Sequence, residues 1–198
     1  LYTGTFGSFI GLAVTFPMLV NSQFPMVDAF KFAFIGPLLA ALVRPLGGWL
    51  SDRIGGATIT CGVFAAMTAA SLGALLFLPG ASGGGNVIGF VIMYLLLFVS
   101  AGIGNGSTFR MIPIIFRVLR QRQMHGKDHA ALEEASRVAA TEAAATLGFS
   151  SAVAAFGGFF IPIAYGASID LTGGYQAALI VFARFYLSCL WITWRWYA

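Results

Sequence analysis

Arg44 is the residue in this chain whose position most needs a chemical reason. It lies near the middle of an apolar run, Gly36 to Gly56, which reads GPLLAALVRPLGGWLSDRIGG. A charge at the centre of a membrane span costs roughly 2.5–3.5 kcal/mol on insertion scales, so such a residue faces a cavity, a partner or an anionic ligand. Two readings follow. A structural arginine gives its donors to backbone carbonyls or a neighbouring helix. A ligand-binding arginine offers a planar fork of N–H groups, which suits a planar, trigonal oxyanion. No acidic residue sits at comparable depth: Asp28 and Asp52 fall near helix ends, Asp170 in a loop and Glu142 at the start of a later helix. That favours an anion, or a partner from elsewhere in the protein.

Other groups are weighed the same way. Tyr2 and Phe6, at i and i+4, share a helix face. They are either a core aromatic pair or a substrate-facing pair in which the tyrosine hydroxyl donates. Gly148, Ser151, Ala155 and Phe159 recur at helical spacing. They form either a close-packing stripe or a thin wall through which backbone and a hydroxyl touch a small substrate. Pro162 is expected to kink that helix. The run Gly102-Ile103-Gly104-Asn105-Gly106-Ser107 is no nucleotide loop, because the segment before it, Val91 to Ser100, is a membrane helix rather than a strand. Small residues at this spacing let helix backbones approach each other, with Asn105, Ser107 and Thr108 as cross-helix hydrogen-bonders. Cys61 and Cys189 lie in apolar runs, and His125 and His129 in a polar loop. No metal cluster and no nucleophile–base pair results. No metal, cofactor or enzymatic activity is expected.

The elements that must position these residues are membrane helices. The chain is 59% hydrophobic and 9% charged, against roughly 25% charged in a soluble domain. Its mean hydropathy is +0.87. The net charge of +4 marks no nucleic-acid partner, since the basic residues cluster by loop. Runs of about 20 apolar residues predict six transmembrane helices, at about 2–20, 30–50, 58–79, 86–109, 141–167 and 175–196. The fold class is therefore all-α, a polytopic membrane protein in contact with the lipid bilayer. A polar segment, 117–138, is expected as a loop, with a short surface helix over Ala130 to Arg137. Arg53, Arg117, Arg120, Arg122, Lys127, Arg137 and Arg195 lie in the second and fourth loops and the C-terminal end, against Lys31 alone in the other loops. This bias places loops 50–58 and 110–140, and both termini, on the cytoplasmic side of a cell membrane. Arg184 falls outside the pattern, deep in the sixth helix, where snorkelling is harder.

The turn Gly48-Trp49-Leu50-Ser51-Asp52-Arg53-Ile54-Gly55 fits G-x-x-x-D-R-x-G and resembles a motif of the major facilitator superfamily. The wider set is similar to the nitrate/nitrite porters of that superfamily. It comprises TFGSF at Thr5 to Phe9, the Gly36–Gly56 run, GIGNGSTFRMIP at Gly102 to Pro113 and ATEAAATLGFSSAVAAFGGFFIP at Ala140 to Pro162. The resemblance implies twelve helices in two pseudo-symmetric halves. This chain would be the C-terminal six-helix half, a fragment whose partner is the missing N-terminal half. It further implies that Arg44 is one of two substrate arginines, that Tyr2 and Phe6 line the site, and that Gly148 and Ser151 belong to a signature segment beside it. Asp52, Arg53 and Gly48 would act in gating rather than in substrate contact. Two departures stand out. Gly56 and Ala57 replace the usual basic residues after the motif, and Ile163 stands where a lysine is frequent. The implied ligand is nitrate or nitrite, moved by uptake or exchange. Another small-anion porter and a non-transporting membrane domain are the alternatives.

Overall fold

In lipid every backbone N–H and C=O must be satisfied within its own segment, so long apolar runs fold as helices. The computed structural model describes residues 1–79, 84–123 and 129–197. Among them there is no strand. A π-helical turn, Thr3–Gly7, leads into α1, Ser8–Gln23. A short 3₁₀ turn, Ala29–Lys31, precedes α2, Ile35–Ile54, and α3 is Gly56–Phe77. Then come α4, Val87–Gln123, α5, His129–Ala155, α6, Gly157–Thr172, and α7, Gln176–Tyr197. Among the described residues six stretches are long and apolar enough to cross a membrane, with α5 and α6 counted as one.

The bounds differ from the sequence reading chiefly at α4 and α5. Hydropathy marks where a span leaves the bilayer, not where its helix stops. No glycine or proline stands between Pro113 and Gly126, so α4 runs on to Gln123. The alanine- and glutamate-rich stretch expected as a surface helix is the first part of α5, since both residues are strong helix formers. The segment 117–138 is thus helical over 117–123 and 129–138. His125 and Lys127 lie outside the described residues, as do residues 80–83.

The span made by α5 and α6 breaks at Phe156. There the Phe156 N–H bonds the Val153 carbonyl, three residues back, and the Phe159 N–H bonds the Phe156 carbonyl. Pro162 sits inside α6, six residues beyond the break. The break is also where Gly157 meets Gly7: a β-carbon on Gly157 would strike the Gly7 backbone. Each half has its own neighbours. α5 packs on α4 and the N-terminal turn, α6 on α1 and α7.

Helix α4 is the centre of the bundle, packed against α2, α3 and α5. Its glycines set the closest approach. A β-carbon on Gly102 would run into the Ala40 backbone, and one on Gly106 into the Arg44 carbonyl; one on Gly47 would hit the Ile103 carbonyl. The core behind this contact is aromatic. The Phe16 ring stacks on Tyr94 at 5.4 Å and meets Phe98 edge-on at 5.8 Å. Two buried tyrosine hydroxyls there find partners, which offsets the cost of an unmade bond. Tyr94 bonds Tyr165, and Tyr186 donates to Ser8 Oγ at 3.0 Å.

Candidate functional site

Arg44 sits near the middle of the twenty-residue helix α2. It is half-buried, with Cζ 5.4 Å from the centre of the Phe109 ring on α4. A cation over an aromatic face is held by about 0.5–2 kcal/mol, depending on desolvation. Among the described residues Arg44 makes no ion pair and no hydrogen bond. Of the two sequence readings, the one with hydrogen bonds to backbone carbonyls has no counterpart among the described residues, while the contact with the neighbouring helix α4 is made through the Phe109 ring. The guanidinium fork is steadied on one face by Phe109 and keeps its N–H donors unclaimed. Phe109 follows the glycine run of α4 in the sequence, but its role depends on the α2–α4 contact.

Two turns further along α2 lies the charged corner. Asp52 Oδ1 accepts from Arg110 Nε of α4 at 2.9 Å. Among the described residues Arg53 makes no ion pair or hydrogen bond to a neighbouring helix; its guanidinium folds back over Trp49, 4.1 Å from the ring centre. A β-carbon on Gly48 would meet only the Gly106 carbonyl at an ordinary distance, whereas one on Gly47 would strike Ile103 and one on Gly106 would crowd the Gly48 nitrogen. Beneath the ion pair lies a buried hydroxyl cluster. Ser107 Oγ accepts from Ser51 at 2.7 Å, shares a bond with Thr60 at 2.9 Å and donates to the Gly56 carbonyl at 3.0 Å. One serine of α4 thereby holds the end of α2 and the start of α3. The corner itself turns at Gly55, whose φ of +100° is strained for any other residue.

Tyr2 and Phe6 stack at 5.4 Å, and Phe6 continues to Phe9 at 6.4 Å. Tyr2 is buried and borders a cavity of about 230 Å³ with Thr108, Met111, Thr146 and Ser150. Thr108 also bonds Thr5 of the π-helical turn at 3.2 Å. A π-bulge of this kind frequently marks a functional position. The structure thus groups Tyr2 with Thr146 and Ser150. Gly148 is exposed, with open space where a β-carbon would stand, and Ser151 is half-buried. Thr146 and Ser150, at i, i+4 on α5, line this cavity without having stood out in the sequence, where the small-residue stripe with Gly148 and Ser151 is the stronger pattern.

No family model matches the chain. Individual relatives do. The chain is 46% identical over 197 residues to the nitrate/nitrite transporter NarU of Escherichia coli (strain K12), covering 98% of this chain and 42% of the relative. It is 32% identical over 206 residues to the probable nitrate/nitrite antiporter NarK2 of Thermus thermophilus, covering 100% and 40%. It is 25% identical over 201 residues to the nitrite extrusion protein of Bacillus subtilis (strain 168), covering 98% and 43%. The chain is homologous to nitrate/nitrite transporters. It spans about two-fifths of their length, and its six helical spans are consistent with half of a major facilitator fold.

Two ion pairs of this nitrate/nitrite transporter homologue went unread in the sequence. Arg110 is the partner of Asp52, and Arg120 of α4 holds Glu142 of α5 through two contacts, one of them Nε to Oε2 at 3.0 Å. Both pairs join α4 to a neighbour, at separations of 58 and 22 residues. Charge counting along the chain places Arg120 in a cytoplasmic loop and leaves Arg110 outside the count; only the packing of α4 reveals what each faces.

Proposed function

We propose that this chain supplies one wall of a nitrate and nitrite carrier and that Arg44 is its anion ligand. The observation that carries the reading is the half-buried guanidinium at mid-span, braced by Phe109 and with its donors unclaimed. Nitrate is planar with three oxygens, and a bidentate pair of N–H bonds fits such an anion. A second arginine, from the rest of the transporter, would close the clamp from the opposite side. Anion binding then offsets the repulsion between the two cations, so a loaded carrier reorients more readily than an empty one. That logic suits exchange of nitrate for nitrite. Tyr2 with Phe6, and Gly148 with Ser151 or their neighbours Thr146 and Ser150, line the approach. Asp52, Gly48 and Arg53 act on the conformational equilibrium, with Asp52 working through Arg110. In this reading the chain moves its ligand without transforming it.

The α2–α3 corner and the α4–α5 connection face the cytoplasm of a cell-membrane protein, a placement supported by the excess of Arg and Lys there. The test is nitrate uptake into vesicles by the natural full-length protein with Arg44→Lys. Lysine keeps the charge and loses the fork. Losing one charge-assisted hydrogen bond, about 1.5–3 kcal/mol, lowers uptake by roughly 10–100-fold. Uptake kinetics equal to those of the unaltered protein would overturn the clamp. Competition by formate or phosphate as strong as that by nitrite would move the assignment to a different small-anion porter.

A further inference from the structure

Asn105 of α4 is a buried polar residue with no part in the reading above. It is 4% exposed, and its Oδ1 has no hydrogen-bond partner among the described residues. A buried acceptor left unmade lowers stability, so an amide at such a place calls for a donor that reaches it in another state.

Its place in the bundle says which donor. Successive helix residues turn by about 100°. Gly104 faces Thr5 and Val63, and Gly106 faces the Arg44 carbonyl. Asn105, between them, points into the seam between the N-terminal turn and α2. Phe98, seven residues earlier on the same face, agrees: it meets Phe16 of α1, and a β-carbon on Gly36 of α2 would strike it. Phe109 follows Asn105 by four residues, so the two are neighbours on one face of α4. A helical side chain leans toward the N-terminus of its helix, which lays the Phe109 ring back over the Asn105 turn. The Arg44 guanidinium rests on that ring.

The hydroxyl protons of this seam are taken. Thr5 bonds the Tyr2 carbonyl and Thr108, and Thr108 bonds the Gly104 carbonyl. The N–H groups of Arg44 are unclaimed. An anion offers acceptors only, so it cannot satisfy Oδ1. A guanidinium has five N–H donors, of which a bidentate anion takes two. We infer that Asn105 is a positioning residue for Arg44, its Oδ1 accepting one of the remaining N–H groups when the fork grips the anion. The inference rests on Arg44 as the anion ligand. A neutral amide suits this task, because it aims the fork without supplying a charge that competes with the anion. A carboxylate at the same place would pair with the guanidinium itself.

The test uses the natural full-length protein and reads nitrate affinity from the rise of the unfolding midpoint with nitrate concentration. Asn105→Leu removes the unpartnered amide at similar volume, so without nitrate its midpoint should equal or exceed that of the unaltered protein. Its nitrate affinity should nonetheless fall roughly tenfold, which a merely structural residue would not show. Asn105→Asp should lower the affinity further. In an Arg44→Lys background, Asn105→Leu should add little, since the two act as one unit. Unchanged affinity in the Asn105 variants would overturn the role, as would losses that simply add. If Arg44→Lys lowers the affinity and the Asn105 variants do not, the positioning role alone falls; if Arg44→Lys changes nothing, the anion-ligand reading falls with it. Should Asn105→Leu fold poorly, Asn105→Asp, which keeps the shape of the side chain, decides.

Discussion

At the scale of single residues, the ion pair and the open glycine make opposite predictions about stability and activity. Asp52 and Arg110 bond at 2.9 Å, but their side chains are 43% and 58% exposed. An exposed pair of this kind contributes about 0–1 kcal/mol. Asp52→Asn should therefore shift the unfolding midpoint by no more than a few degrees. If the pair biases which side of the carrier is open, the same variant should change nitrate exchange far more than it changes stability. Thermal unfolding in detergent beside vesicle uptake separates the two effects, and equal losses in both would make Asp52 merely structural. Gly148 is the converse case. Open space surrounds its missing β-carbon, so Gly148→Ala meets no clash and should raise helix stability by roughly 0.5–1 kcal/mol. A fall in uptake by that more stable variant would mark the Gly148 face as one that meets substrate or the rest of the transporter. Unchanged uptake would remove Gly148 from the site.

At the scale of elements, the contact of α2 with α4 decides most. Gly106 is pressed on the Arg44 carbonyl and Gly47 on that of Ile103. Gly106→Leu must push the two helices apart, which overpacks a close contact and also displaces Arg44. A sharp loss of monodisperse protein on size-exclusion chromatography is expected. Ser107→Ala keeps the spacing and removes a hydroxyl that serves Ser51, Thr60 and the Gly56 carbonyl. Buried partners left unmade cost roughly 1–3 kcal/mol, readable as a lowered unfolding midpoint. The helices themselves were legible in the sequence because lipid leaves an apolar run little choice of structure. The glycine run of α4 was also readable as a packing surface. What was not readable depends on which faces meet. The Asp52–Arg110 pair, the Phe109 brace and the cavity shared by Tyr2, Thr146 and Ser150 each join positions that only folding brings together. The helix ends are not legible for a related reason: α4 and α5 continue where hydropathy stops.

At the scale of the whole molecule, the chain matches about two-fifths of the length of its relatives. The least buried of its six spans are the one holding α2 and the one made by α5 and α6. Arg44 and the Gly148 face lie on those spans. If the clamp needs a second arginine from outside this chain, the 198-residue chain reconstituted alone should give vesicles no more nitrate uptake than protein-free ones. Uptake by the chain alone would place the whole pathway within it. The break at Phe156 bears on how such a pathway changes shape. Below it α5 is tied to α4, partly through Glu142 and Arg120; above it α6 is tied to α1. In the proposed carrier, a span joined at one point to two different neighbours would work as a hinged lever. Its two arms can change their mutual angle while each keeps its own contacts, so one end of a pore can narrow without repacking the other.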